Sequence, residues 1–282
     1  MKTVSFIRMN ALGDCLLTTG IIKKYKQENP SHRIVVATDN YEPFARLEEV
    51  EYIFEDKQKA IVNSNSFYDL DLCYERTPEK HILSAYGDYV FGKGNYNIDE
   101  IKPILTSNNE DRNSLYDIMT QINFPMYSKY VVIHAVGENN PRSCLPHKTW
   151  EDVIQKLVDK GYFIALIGTD KDQQFTLSDR VYDFKGLTDI WHTRALIDEA
   201  QAFIGMDSGP SHIAQTTQTP CSIIYNVADP TLRIHRPEKT RIVTSGLSCE
   251  FCLKKTPPPV TFVNCKNIKC LEVITSETIL GY

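Results

Sequence analysis

A short apolar strand that runs straight into an acid, a hydroxyl, a glycine and a proline constrains this chain more than any other feature. Ala202-Phe-Ile-Gly205 leads into Met206-Asp-Ser-Gly-Pro-Ser-His-Ile-Ala-Gln215. The run before Met206 reads as a buried strand, and the residues after Pro210 read as helix. Gly209 is expected to let the backbone turn sharply. Pro210 suits the first turn of a helix, where its missing N–H is not needed. Asp207 and Ser208 then stand just before a helix whose free amides and dipole favour an anion such as a phosphate. His212 falls one turn later, so it can face the same space. Together these residues point to recognition of a diphosphate.

A second unit of this kind lies at the other end. Thr3 to Arg8 forms a short apolar strand, Met9-Asn-Ala-Leu-Gly13 a turn, and the residues from Leu16 a helix that stops near Asn29-Pro30. A single glycine in the turn and no lysine after it exclude the dinucleotide fingerprint and the Walker loop. Asp14 stands at the first turn of this helix, where the dipole stabilises a carboxylate. A capping role explains it as readily as a chemical one.

Between and beyond these units, strands and helices alternate. Expected strands are Arg33–Thr38, Glu51–Phe54, Asp69–Tyr74, Tyr130–His134, Tyr162–Ile167 and Cys221–Tyr225. Expected helices are Tyr41–Val50, Arg112–Ile122, Thr149–Lys160 and His192–Glu199. Such alternation implies parallel sheets covered by helices on both faces. The stretch Thr77–Ser107 should carry loops, whose Tyr86, Tyr89, Phe91 and Tyr96 line a pocket or simply pack. Asp69 and Asp71 match a metal-holding Asp-x-Asp pattern, yet their place in an apolar strand favours a plain strand edge. The seam between two α/β halves is expected near Phe124–Ser128, giving domains 1–127 and 128–282. A chain of 282 residues, 42% hydrophobic, is long enough for two such cores.

A net charge of −5 argues against a broad nucleic-acid-binding surface. No apolar stretch approaches the roughly 20 residues of a membrane span. The chain opens directly on its first strand without a secretory-signal layout. A cytoplasmic place is therefore expected, with peripheral association at the inner membrane left open. Of the eight cysteines, Cys15, Cys73, Cys144 and Cys221 are scattered and read as small apolar residues. Cys249-x-x-Cys252 and Cys265-x4-Cys270 form two close pairs around a proline-rich loop. They can supply tetrahedral thiolate ligation to a structural zinc. Free packed thiols and a disulfide formed on oxidation are the alternatives.

Gly13-Asp14 followed by Leu-Leu-Thr-Thr, together with Asp207-Ser-Gly-Pro-Ser-His-Ile-Ala214, resembles glycosyltransferase family 9, the heptosyltransferase-like enzymes. Pro146-His-Lys-Thr-Trp150 resembles the lysine-x-tryptophan segment that opens the first helix of that family's donor domain. The four late cysteines resemble its cysteine-rich tail. The resemblance implies a GT-B fold: two Rossmann-like, doubly wound domains facing across a cleft, acceptor-binding first and nucleotide-sugar-binding second. It implies an inverting transfer of a heptose-like sugar, ADP being the favoured nucleotide, to an acceptor hydroxyl such as that of a lipopolysaccharide core.

Under that resemblance Asp14 is the general base, with Asn10 and Gly13 in the acceptor-side loop. Donor-side candidates are Lys148, Thr169, Asp207, Ser208, Gly209 and His212, with Arg8 and Arg142 of lower weight. No metal or other cofactor is expected in catalysis, because helix-terminal donors and Lys148 can meet the leaving diphosphate. Other acceptors stay open, a modified nucleobase in phage DNA among them. So do a non-catalytic sugar-nucleotide binder and a nucleotide-sugar epimerase, for which His134 or His147 would be invoked.

Overall fold

The computed structural model describes residues 1–137, 144–252 and 268–281. The chain divides into two compact units, one of Met1–Leu105 with Thr231–His235, the other of Thr106–Pro230 with Arg236–Tyr282.

In the first unit β1 (Thr3–Ile7), β2 (Arg33–Ala37), β3 (Tyr52–Phe54) and β4 (Ser66–Asp69) form one parallel sheet in the order β3-β2-β1-β4. Val4, Phe6 and Ile7 of β1 and Ile34 and Val36 of β2 are buried, as parallel strands covered on both faces require. The helices are α1 (Leu12–Glu28), α2 (Glu42–Ala45), α3 (Lys57–Val62) and α4 (Ile82–Phe91). Every residue of α1 from Cys15 to Ile22 is buried. Thr18 and Thr19 are tolerated there because their hydroxyls bond back to the carbonyls of Cys15 and Leu16, at 2.7 and 2.8 Å. Gly20 admits the Ile101 and Lys102 carbonyls, which a Cβ would meet at 2.5 and 2.1 Å.

The second unit holds β5 (Tyr130–His134), β6 (Phe163–Leu166), β7 (Val181–Asp183), β8 (Ala202–Met206), β9 (Cys221–Ile224) and β10 (Thr240–Val243). They are parallel, in the order β10-β9-β8-β5-β6-β7. Counting from β5, this is the doubly wound dinucleotide-fold order. Its helices are α5 (Asn109–Gln121), α6 (His147–Asp159), α7 (Ile190–Asp198), α8 (Gly209–Ala214), α9 (Lys269–Glu272) and α10 (Ser276–Leu280). Trp150, fully buried, anchors α6 in a core with Val131, Ile133, Ile164 and Ile204.

Several expectations need correction. The seam falls at Leu105–Thr106 rather than near residue 127, because α5 is fastened to α7: Arg112 pairs with Asp198 at 3.3 Å, and Tyr116 donates to Glu199 at 2.9 Å. Consequently α6 is not the first helix of its unit. The strand expected over 69–74 ends at Asp69, whose carboxylate accepts from the Asp71 amide at 3.2 Å and turns the chain. The helix expected over 41–50 shrinks to Glu42–Ala45. The loop region contains α4, started by the His81 ring accepting from the Leu83 amide at 3.2 Å. There Tyr86 is fully buried and Tyr96 bonds to Ser84 O and Asp88, so these two aromatics pack.

Candidate active site

Each sheet reverses its strand order once, β1 beside β4 in the first unit and β5 beside β8 in the second. At such a reversal the loops leave in opposite directions, opening a crevice at the carboxyl ends of the strands. Arg8, Asp14 and Tyr74 meet at the first of these places and His134 and Ser208 at the second.

In the first unit Arg8, directly after β1, is 6% exposed. Its Nη1 donates to Leu70 O at 3.2 Å, and its Nη2 donates to Asp14 Oδ2. Asp71 and Glu75 lie 3.9 and 3.8 Å from the same guanidinium. Tyr74 donates its hydroxyl to Asp14 Oδ2 at 3.1 Å. Asp14 Oδ1 has no hydrogen-bond partner among the described residues. The Arg233 guanidinium lies 4.3 Å over the Tyr74 ring, carried there by the Thr231–His235 segment, which is held by the His81 Nε2 to Ile234 O contact at 2.9 Å. Burial opposes the Arg8 charge, but the acidic groups around it, Tyr86, Asp14, Tyr74 and Glu75, hold its pKa raised. Burial pushes the Glu75 carboxyl and the Tyr74 phenol up. Arg8 Nε, Glu75 Oε2 and Tyr86 Oη are buried without a hydrogen bond.

The turn before α1 is strained. Ala11 is the helix cap and has φ 68, ψ 105, a conformation that costs an L-residue of order 1–3 kcal/mol. Its side chain cannot cap, and the first intrahelical bond runs from Cys15 N to Ala11 O. Asp14 is thus inside the first turn, paired to Arg8, and does not cap the helix. Gly13 is buried beneath it and Asn10 is exposed. Asp69 and Asp71 both face Lys57, at 2.7 and 3.6 Å, and Asp71 also accepts from Met9 N at 3.0 Å. Asp69 closes the edge strand β4 and Asp71 stands in the turn beyond it, so the pair does not share one strand as expected.

In the second unit the Ser208 hydroxyl lies 3.0 Å from Met206 O and 3.0 Å from His134 Nδ1. Ser208 is the cap of α8 but makes no side-chain capping bond, and α8 has only six residues. Gly209 opens α8 without a left-handed dihedral, so the sharp glycine turn expected there is not what redirects the chain. A glycine with positive φ does stand nearby, Gly168 after β6, with φ 130. His134 Nε2 faces Asp172 Oδ2 at 3.6 Å. Asp172 accepts from the Thr169 amide at 2.7 Å, the Thr169 hydroxyl at 3.2 Å and the Gly137 amide at 3.1 Å. Burial alone would raise its pKa; His134 and these amides outweigh burial and lower it to about 2. Lys148, at the start of α6, and Thr169 are exposed, Asp207 is half-buried, and His212 is buried. His147, stacked 4.7 Å from Phe175, bonds to Gln173 at 3.1 Å.

Sequence reasoning missed Tyr74, Asp172 and Arg233. Nothing in their local pattern marks them, since each reaches its partner through the topology. Arg142 and Cys265 lie outside the described residues. Cys249 is exposed and Cys252 and Cys270 are half-buried. Among the described residues no three His, Cys, Asp or Glu side chains converge as metal ligands would. None of the helices described is long and apolar enough to cross a membrane.

Two parallel α/β units of this order define the GT-B class of glycosyltransferase folds. The profile of glycosyltransferase family 9 (heptosyltransferase) matches residues 66–259, and the chain belongs to that family. The chain is 32% identical over 109 residues to lipopolysaccharide heptosyltransferase 3 of Escherichia coli, a match covering 36% of this chain and 32% of that protein. The chain thus spans about a third of the curated relative's length. Among solved structures it is similar to the glycosyl transferase family 9 protein of Veillonella parvula, with TM-score 0.77, 14% identity, and 99% and 95% of the two chains covered. It is also similar to TibC of enterotoxigenic E. coli, an iron-containing dodecameric glycosyltransferase, with TM-score 0.71, 17% identity, and 99% and 76% covered. TibC has also been solved in complex with ADP-D-β-D-heptose.

Proposed function

We propose that this protein transfers a sugar from a nucleoside-diphosphate donor to an acceptor hydroxyl with inversion at the anomeric carbon. ADP-heptose is the favoured donor and a lipopolysaccharide-core glycan the favoured acceptor. The first unit takes the acceptor and the second the nucleotide sugar. The carrying observation is Asp14, whose Oδ2 is fixed by Arg8 and Tyr74 while Oδ1 has no partner among the described residues. A carboxylate oriented by one oxygen and open at the other suits a general base. As the acceptor oxygen bonds to the anomeric carbon, its proton passes to Asp14. The bond from that carbon to the diphosphate oxygen breaks, and its electron pair leaves with the nucleoside diphosphate. Asn10 and Gly13 shape the acceptor-side loop.

On the donor side Ser208, the Gly209 amide and Lys148 meet the diphosphate, while Asp207, His212 and Thr169 serve the sugar, ribose or base. Thr169 already spends both its hydroxyl and its amide on Asp172, so it is the weakest of these contacts. Lys148 has no ion pair among the described residues, which leaves its charge for a phosphate. Titration calorimetry with ADP tests this. Lys148→Ala and Ser208→Ala should each weaken binding by roughly 1–3 kcal/mol. Unchanged affinity in both would move the donor site elsewhere. Turnover should survive chelation of divalent cations.

The spacing of Cys249, Cys252, Cys265 and Cys270 supports a structural metal, with zinc as the expected ion and iron, present in TibC, as the competitor. Four thiolates would leave no position for substrate, so the metal would contribute through folding alone. Cys252→Ser should lower Tm more than turnover. Metal analysis under reducing conditions decides: about one ion per chain is expected, and four free thiols with no metal would end the idea.

A further inference from the structure

We propose that His134 is a positioning residue for the donor diphosphate, holding the Ser208 hydroxyl in place from across the β5/β8 reversal while Asp172 fixes the imidazole from its other side. The proposal rests on the donor reading of the turn after β8.

The three residues come from three strand ends. His134 is the last residue of β5, Ser208 follows β8, and Asp172 sits in the loop after β6. His134 is 5% exposed, so solvent does not satisfy its ring. Its Nδ1 meets Ser208 Oγ at 3.0 Å and its Nε2 meets Asp172 Oδ2 at 3.6 Å. Two glycines exist to allow this approach. A Cβ on Gly168 would stand 2.3 Å from Asp172 Oδ2 and 3.1 Å from His134 Cδ2, and one on Gly137 would stand 1.7 Å from Lys171 O. The loops after β5 and β6 are therefore pressed together backbone to backbone, with the imidazole fixed beside them.

Ser208 is bound in a way that capping does not explain. Its Oγ lies 3.0 Å from Met206 O, which can only accept. When the hydroxyl proton points to Met206 O, Oγ is free to accept from His134 Nδ1–H. When an anion arrives, the hydroxyl proton can turn to a phosphate oxygen while the Nδ1–H bond stays. Met206 O then keeps a donor in the Ser211 hydroxyl. With Asp172 facing Nε2, the ring bridges a carboxylate to the hydroxyl that meets the ligand. A second protein group thus orients the donor hydroxyl before the substrate binds, which is how preorganised sites avoid reorganisation.

The test uses the full-length chain and ADP as the probe. The amide nitrogen of asparagine falls near the place of imidazole Nδ1, and that of glutamine near Nε2. His134→Asn should keep the contact to Ser208, whereas His134→Gln should keep only the contact to Asp172. His134→Gln should weaken ADP binding by about fivefold, the worth of one hydrogen bond, and His134→Asn should remain close to the parent. In a double-mutant cycle His134→Gln should add nothing on top of Ser208→Ala. Asp172→Asn, which keeps a side-chain carbonyl toward its amide donors, gives the same readout should His134→Gln fail to fold. Its effect too should vanish in the Ser208→Ala background. Equal losses for His134→Asn and His134→Gln, or full additivity with Ser208→Ala, would overturn the positioning role while leaving the donor site intact. No loss in Ser208→Ala would overturn the positioning role, and no loss in Lys148→Ala as well would overturn the donor site with it.

Discussion

The reversals in the two sheets are built alike and furnished differently. In each unit a central strand is flanked by its successors on one side and by a later strand on the other, and polar groups gather where the order reverses. In the first unit the gathering is ionic: buried Arg8 amid Asp14, Asp71 and Glu75, with Tyr74 and Arg233 closing over it. In the second it is mostly hydrogen-bonded: Ser208, His134 and Asp172, the last satisfied by backbone amides. One place orients a carboxylate, as the proposed proton abstraction requires. The other offers donors, as the proposed diphosphate site requires. The same topology therefore supports opposite electrostatic tasks, and the side chains at the strand ends decide which.

Asp14→Asn bears most heavily on this contrast. It leaves the hydrogen-bonding shape of the first site nearly intact and removes the proposed base. Turnover should fall by about 10²–10⁴, the range for a general base, with ADP affinity unchanged. Near-normal turnover on the true acceptor would end the division of labour. Next in size is Arg8→Met, which deletes the cation that three carboxylates surround. Breaking a buried ion pair from one side costs about 3–5 kcal/mol, so chemical denaturation should show that loss. A loss under about 1 kcal/mol would mean that solvent already screens the site as at a surface pair.

The sequence showed the second unit's reversal better than the first's. Ser208 and Gly209 stand in one local motif, and the strand–turn–helix reading of it holds. Asp14 was visible too, yet its partner Tyr74 is 60 residues away and Arg233 reaches the site from beyond β9. Contacts made by strand order leave no spacing to read. The seam was misplaced for a related reason. α5 looks like the close of the first half in sequence, but Arg112 and Tyr116 tie it to α7, whose acidic end cannot be matched to them from pattern alone. Ala11 shows a further limit, since no rule of composition expects an L-residue with φ 68 where glycine would be easier. Strain at such a turn is kept only where the surrounding structure fixes it.

Asp172 offers the finest test, because its contribution to stability is set by pH. Its pKa in the folded chain is about 2, below the ordinary 3.8. A carboxyl lowered by folding stabilises the native state fully above its unfolded value. That stability is lost as pH falls through the folded value. The window is therefore between about pH 4 and pH 2, and the contribution lost there is on the order of 2 kcal/mol. Asp172→Asn should be less stable than the parent at pH 7 by about that amount, and the gap should close as pH drops to 2. Urea unfolding at stepped pH measures it. A gap that stays constant with pH would show that the side chain matters for its packing and backbone bonds, not its charge. The second unit's reversal would then draw no stability from charge at Asp172, and the contrast with the ionic cluster of the first would sharpen.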